Sequence, residues 1–375
     1  MVKKVSLMLM ILGAFGFFIL TGCEDDDSPT SSAPAELEYI GSDACAECHE
    51  AISDKITNNG HGYKLNKVEN GQAPSYPYTN VPTPPVGYDW DDISYVIGGF
   101  GWKARFVDLQ GYIITGDAVQ YNIETSGWSG YHSDEDPGTK PYNCGRCHTT
   151  GWKSTDDGGA HQDGMPGMAG QFSEPGVHCE ACHGRGSRHV ESSSADDIVR
   201  DTNSSMCGGC HYRNENHLID ASGGFIRHHE QYDEMISGGH RGLDCIECHD
   251  PHQGIQDPSY SYAASLAKCQ ECHTGANYAM HNGADCIKCH MPEATKSAVA
   301  SNVYNGDLMT HIFAINTEAV GKDAMWYSDG KKAVGEVTLD FVCYQCHQDP
   351  DGVGGAGSPK TLEELSAKAT GYHTP

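Results

Sequence analysis

The sequence predicts a mainly α chain with extensive loops, a small antiparallel β element, and an interior filled by something other than aliphatic side chains. Three observations carry this. Only 38% of the 375 residues are hydrophobic, while 45 are Gly and 17 are Pro, too lean for an ordinary core of this size. The chain holds 17 Cys and 21 His, and sixteen of the Cys recur at a spacing that fits one helical turn. Residues 50–143 contain no Cys and carry short β-branched and aromatic segments separated by Gly. The formal charge of −27 repels phosphate and excludes nucleic acid as a partner. A membrane channel is excluded as well, since the long apolar run lies within the first 22 residues.

That run begins with Lys3 and Lys4, continues as residues 5–20, and ends in Leu20-Thr21-Gly22-Cys23. A basic start, an apolar stretch and small residues form the pattern of a cleaved export signal, residues 1–22. Leu-Thr-Gly-Cys resembles the lipobox of bacterial lipoproteins, which implies lipidation of Cys23; an ordinary signal or an uncleaved anchor is the plainer alternative. Residues 23–38 are acidic and rich in Ser and Pro, and read as a flexible tether. The acidic run after Cys23 is compatible with an outer-membrane or cell-surface destination, and in other lineages with retention at the inner membrane.

The sixteen remaining Cys form eight copies of Cys-x-x-Cys-His: Cys45-Cys48-His49, Cys144-Cys147-His148, Cys179-Cys182-His183, Cys207-Cys210-His211, Cys245-Cys248-His249, Cys269-Cys272-His273, Cys286-Cys289-His290 and Cys343-Cys346-His347. Cys residues three apart lie on one side of a helical turn, where two sulfurs can bond one haem and the adjoining His can reach its iron. Structural zinc and disulfides also use paired Cys, but neither needs a His after every second one. With 21 His in 375 residues, eight such coincidences have a probability on the order of 10⁻¹⁰. Eight covalently bound haem c groups are therefore expected. A flat apolar macrocycle at each motif also supplies the missing core.

The eight motif His are the expected proximal ligands, leaving thirteen others as candidates for the distal side. Here the chain resembles a family, the multihaem c-type cytochromes related to octahaem hydroxylamine oxidoreductases and pentahaem nitrite reductases. The resemblance rests on GSDACAECH with NGHGYKL, CGRCHTTGW, GVHCEACHGRGSRHV, GGFIRHHEQYDEM, LDCIECHDPH, ADCIKCHMP and THIFAI, spanning residues 41 to 315. It implies a multihaem cytochrome c fold with a haem-filled core and closely packed haems. It also implies His61, His189, His240, His252, His281 and His311 as distal ligands. His229 is added, with His228 as its alternative, and His132 is the eighth choice. His161, His178 and His217 stand in reserve, and His373 is expected to take no part in iron binding. The nitrite-reductase Lys is absent, since all eight motifs end in His. No segment singles out a Tyr for the crosslink that hydroxylamine oxidation uses, so no catalytic residue is assigned.

Motifs two to eight crowd into residues 136–347, expected as a seven-haem core. Residues 39–135 would hold the first haem and the Cys-free segment, with strands at residues 93–97, 103–107, 112–115 and 118–123. Residues 348–375 form a tail with a helix near residues 362–369, introduced by a capping box of Thr361 and Glu364. No fixed repeat period is present, which argues against a solenoid.

The expected function is a lipid-anchored octahaem cytochrome passing electrons along bis-His haems. Its donor would be periplasmic or membrane-bound, and its acceptor another cytochrome, a redox protein or an extracellular acceptor. The alternative is an oxidoreductase acting on a nitrogen or sulfur oxyanion at one five-coordinate haem. That would need clustered cations, and the 24 Lys and Arg are scattered along the sequence. A conductive filament subunit is a third reading, and lipidation at Cys23 counts against it.

Overall fold

Why the Cys-free segment folds is visible in its alternation. In the computed structural model, which describes residues 36–213, 216–254, 269–275, 285–347 and 359–373, this segment forms a five-stranded antiparallel sheet. Its strands are β1 (Leu65–Lys67), β2 (Ile93–Gly98), β3 (Lys103–Asp108), β4 (Gly116–Asn122) and β5 (Gly127–Tyr131), in that spatial order. A register shift between Ile93 and Tyr95 in β2 inserts a bulge. The extra residue lets Ile93 share a face with Val96 while Tyr95 shares the other with Ile97. One face buries Val96, Ala104, Phe106 and Tyr121. The other packs Leu65, Tyr95, Ile97 and Val107 against Tyr142 and Met168 beyond the sheet. Sheet and motif-bearing chain therefore share a core.

The expected strand at residues 112–115 is not one. Tyr112 and Ile113 make isolated bridges to Pro141 and Val107. The Asp108 side chain accepts from the backbone N–H groups of Gln110 and Tyr112, closing a tight turn that leaves too little chain for a ladder. The strand at residues 127–131, which supplies the fifth member, was not foreseen, because its Gly-rich GWSGY text lacks the usual strand alternation.

Helix is mostly local to the motifs: α1 (Ser42–Ile56), α2 (Gly145–His148), α3 (Cys179–His183), α4 (Ser187–Ser192), α5 (Ser204–Gly208) and α6 (Gln231–Ser237), followed by Cys286–His290, Leu339–His347 and Leu362–Ala369. A motif needs a single turn to bring two sulfurs to one side, so these helices stop early. The expectation of a mainly α chain gives way here, among the described residues, to short helices, several small sheets and long loops. In α1 the backbone departs from helix at His49 itself (φ −117°, ψ 39°). Close approach shapes the second motif: a Cβ on Gly145 would collide with the Trp152 ring.

A second, four-stranded sheet joins Thr295–Lys296, Phe225–Arg227, Ile219–Ser222 and Lys332–Ala333. Gly223 and Gly224, both at positive φ, make the two-residue hairpin between Ser222 and Phe225. This hairpin brings Arg227, His228 and His229 to the lining of the cavity described below. The terminal helix Leu362–Ala369 has the expected capping box, Thr361 Oγ1 accepting from Glu364 N–H and Glu364 from Thr361 N–H.

In guanidinium denaturation of the haem-loaded protein, Phe106→Ala should cost about 3–5 kcal/mol, because the ring is fully buried. Thr361→Ala should cost only about 1 kcal/mol, the worth of one cap.

Candidate haem centres

Each motif starts on, or directly ahead of, a helical or 3₁₀ turn. For seven motifs a second imidazole faces the motif His. His49 stands 6.1 Å from His189 between ring centres, His61 6.1 Å from His211, and His148 6.4 Å from His229. His183 and His252 are 6.1 Å apart, His240 and His273 6.0 Å, His249 and His311 6.1 Å, and His290 and His373 5.8 Å. Metal–imidazole bonds of about 2.0–2.1 Å on opposite sides of one ion, with ~1.1 Å from Nε2 to each ring centre, put facing centroids roughly 6 Å apart. The donor set and the spacing fit an iron held between two imidazoles.

Four of the rings are held through Nδ1. His183 Nδ1 meets the Val199 carbonyl at 2.7 Å, His189 that of Ser194 at 2.8 Å, and His290 that of Phe313 at 2.8 Å. His211 Nδ1 meets Gln231 Oε1 at 3.1 Å. Burial pushes the pKa of His61 and of His148 down to about 3, and that of His229 to about 2. Neutral imidazoles keep the lone pair a metal requires.

Of the eight expected distal residues, His61, His189, His229, His240, His252 and His311 each face a motif His, and His281 lies outside the described residues. His132 does not. Its Nδ1 sits 2.7 Å from Glu135 Oε1, its ring lies edge-on to Tyr131, and its backbone is left-handed (φ 47°). A short acidic turn has claimed it. His373, expected to stay clear of iron, faces His290 instead, placed there by the capped terminal helix. The reserves serve the backbone or a carboxylate: His161 Nδ1 pairs with Met168 O, His178 Nε2 with Pro175 O, and His217 Nδ1 with Asp233 Oδ1. His228 lies edge-on to His229 at 4.0 Å.

Sulfur contacts give the neighbour order of the motifs. Cys45 lies beside Cys179, Cys147 beside Cys210, and Cys207 beside Cys245. Cys182 lies within electrostatic reach of Cys207 and Cys210, Cys269 of Cys248 and Cys286, and Cys289 of Cys343 and Cys346. The motifs thus run one, three, four, five, six, seven, eight. Among the described contacts the second motif joins this line through the fourth. Residues of motifs two to eight line one continuous cavity of about 2820 Å³.

One wall of that cavity gathers cations that the sequence scatters. Lys103, Arg105, Arg213, Arg227 and His228 all line it, with Cys144, Cys147 and His148 of the second motif. The Arg105 guanidinium lies 3.7 Å above the Tyr131 ring and donates from Nε to Gln120 Oε1. Arg213 Nε is 3.0 Å from Glu230 Oε1. Burial holds the Lys103 ammonium well below its usual range, and Arg105, Arg213 and Arg227 push it further. Strand β3 and the Gly-Gly hairpin bring these residues together from four separate segments.

Comparison with known proteins places this geometry. The family described as cytochrome c554 and c-prime matches residues 120–184, which hold the second and third motifs. The octahaem sulfite reductase of Wolinella succinogenes superposes with a TM-score of 0.57 at 17% identity, covering 88% of this chain and 70% of that one. The outer cell wall cytochrome OcwA gives 0.52 at 16% identity, covering 88% and 86%. The fold is that of the multihaem c-type cytochromes. An undecahaem cytochrome from the S-layer of Carboxydothermus ferrireducens gives 0.45 at 15% identity and covers 76% of this chain, which spans about half of its length (53%). No curated protein matches the sequence.

In the haem-loaded protein, His373→Ala should introduce a high-spin fraction in the visible spectrum, and His132→Ala should leave the spectrum as it is.

Proposed function

We propose that the chain binds eight covalently attached haem c groups, one at each Cys-x-x-Cys-His motif, and relays electrons among them. The observation that carries this reading is the set of seven motif His, each facing a second imidazole at 5.8–6.4 Å, at motifs whose Cys neighbour one another in a line that the second motif joins through the fourth. His347 is proposed as the proximal ligand of the remaining motif, and His281, which lies outside the described residues, stays a proposed distal ligand. Bound haem c supplies a one-electron couple at each site. The chain's part is to hold two neutral imidazoles per iron, to fix each site by two sulfurs, and to keep successive sites adjacent. Two His ligands favour lower potentials than a His and Met pair.

The signal at residues 1–22 and Cys23 support export and lipid anchoring. Among the described residues, no helix is long and apolar enough to cross a membrane. The outer-cell-wall location in one structural neighbour's name supports an extracytoplasmic place. Partners are other cytochromes or redox proteins, with a periplasmic or membrane donor and an extracytoplasmic or extracellular acceptor. A charge of −27 favours cationic docking faces and makes association slow as salt rises.

Mass spectrometry of the intact protein should give the mature chain plus eight haem masses, and low-temperature electron paramagnetic resonance of the oxidised protein should give low-spin ferric signals. Fewer haems, or a substantial high-spin signal, would count against the reading.

One observation favours a second reading. The cations beside the second motif could receive a nitrogen or sulfur oxyanion, and make that site an oxidoreductase centre. It would require His229 to leave His148. Reduced protein mixed with nitrite or with sulfite tests it: reoxidation at a rate that Arg105→Gln abolishes would favour the enzyme, and stable reduced protein would favour the relay.

A further inference from the structure

Helix α6 and the residue that caps its start carry three carboxylates with no exposed side-chain surface, Glu230, Asp233 and Glu234. Two have partners that account for them. Glu230 pairs with Arg213 at 3.0 Å and accepts from Asp220 N–H at 3.2 Å. Asp233 meets His217 Nδ1 at 2.9 Å. Glu234 is different: no Lys or Arg pairs with it among the described residues. Its Oε1 accepts from Thr295 Oγ1 at 3.2 Å, and its Oε2 accepts the His311 backbone N–H at 2.5 Å. The same Oε2 lies 3.6 Å from His311 Nδ1, a buried ring nitrogen with no hydrogen-bond partner. A bare carboxylate is thus held against the back of an imidazole whose other face looks at His249.

The contrast with the other rings is one of charge. His183, His189 and His290 rest their Nδ1 on neutral backbone carbonyls, and His211 rests on the Gln231 amide. Asp250 stands 3.5 Å from His252 Nδ1, but it is more than a third exposed and bound to Lys55 at 3.0 Å. Its charge is therefore screened and neutralised. Glu234 has neither solvent nor a cation to offset it. At 3.6 Å its effect on Nδ1 is electrostatic rather than a full hydrogen bond. A carboxylate behind a ligating His makes the imidazole a stronger donor and favours the higher charge on the metal.

We propose that Glu234 is a positioning and tuning residue that makes the fifth-motif centre, between His249 and His311, the hardest of the array to reduce. This rests on the reading of those two His as axial ligands of one haem. The fifth motif lies in the middle of the neighbour order, so this centre fills last and separates the sites of motifs one to four from those of motifs six to eight.

The test is a potentiometric measurement on haem-loaded protein, followed optically. Glu234→Gln keeps the shape and the acceptor role towards the His311 N–H, while its amide N–H can donate to Thr295 Oγ1 in place of accepting from it. It should raise the most negative component by about tenfold in its ferric–ferrous equilibrium, ~59 mV for a one-electron couple, and move one low-spin resonance signal. Thr295→Val, which frees Glu234 Oε1, should shift the same component the other way, and this variant carries the test if Glu234→Gln does not fold. Superimposable curves for both variants overturn the proposal. His311→Ala separates the two levels of the argument. If it produces a high-spin signal while the Glu234 and Thr295 variants are silent, the ligand reading stands and the tuning fails. If it produces none, the ligand reading itself has failed.

Discussion

A distance of about 6 Å between facing imidazoles is the constraint on which the rest of this structure depends. It is too wide for a hydrogen bond between ring nitrogens and suits two bonds to one ion. Holding it seven times over asks much of the chain, since each ring must be fixed in both tilt and depth. The carbonyls of Val199, Ser194 and Phe313 do this by catching Nδ1. Much of the irregular backbone has the task of putting one carbonyl behind one ring, which explains why long loops serve here where helices would not.

How much of this was legible depends on range. The proximal set is written in five consecutive residues, so spacing alone exposes it. Most distal residues became readable through resemblance of short segments such as NGH and THIF. His373 has no such segment; only the fold of the capped helix carries it to His290. His132 shows the opposite case, since it stands in the segment GWSGYH while Glu135, three residues on, meets its ring in the structure. The cations beside the second motif were invisible because Lys103, Arg213 and Arg227 are far apart in sequence and meet only when β3 and the Gly-Gly hairpin are in place. Strands 93–97, 103–107 and 118–123 were readable from β-branched residues, while β5 was hidden by its glycines.

The charge distribution now has an internal logic. Acidic residues outnumber basic ones by 51 to 24. Yet the second motif sits in a basic wall and the fifth beside a lone carboxylate, so the local sign differs from site to site. In a low-dielectric interior such differences weigh more than the overall excess outside. The surface charge bears on which partner arrives and how fast; the interior charges bear on where an added electron rests.

The seven imidazole pairs also interleave along the chain. Drawn as arcs, 49–189 overlaps 61–211, which overlaps 148–229 and 183–252; of these two, 183–252 overlaps 240–273 and 249–311, and 249–311 overlaps 290–373. No peptide bond between His49 and His373 can be broken without severing at least one arc. The array is woven rather than strung, so it cannot be divided into smaller self-sufficient units, and it cannot grow by adding one copy of a motif at a time. A lineage that lengthened or shortened it would have to rewrite partners on both sides of the change.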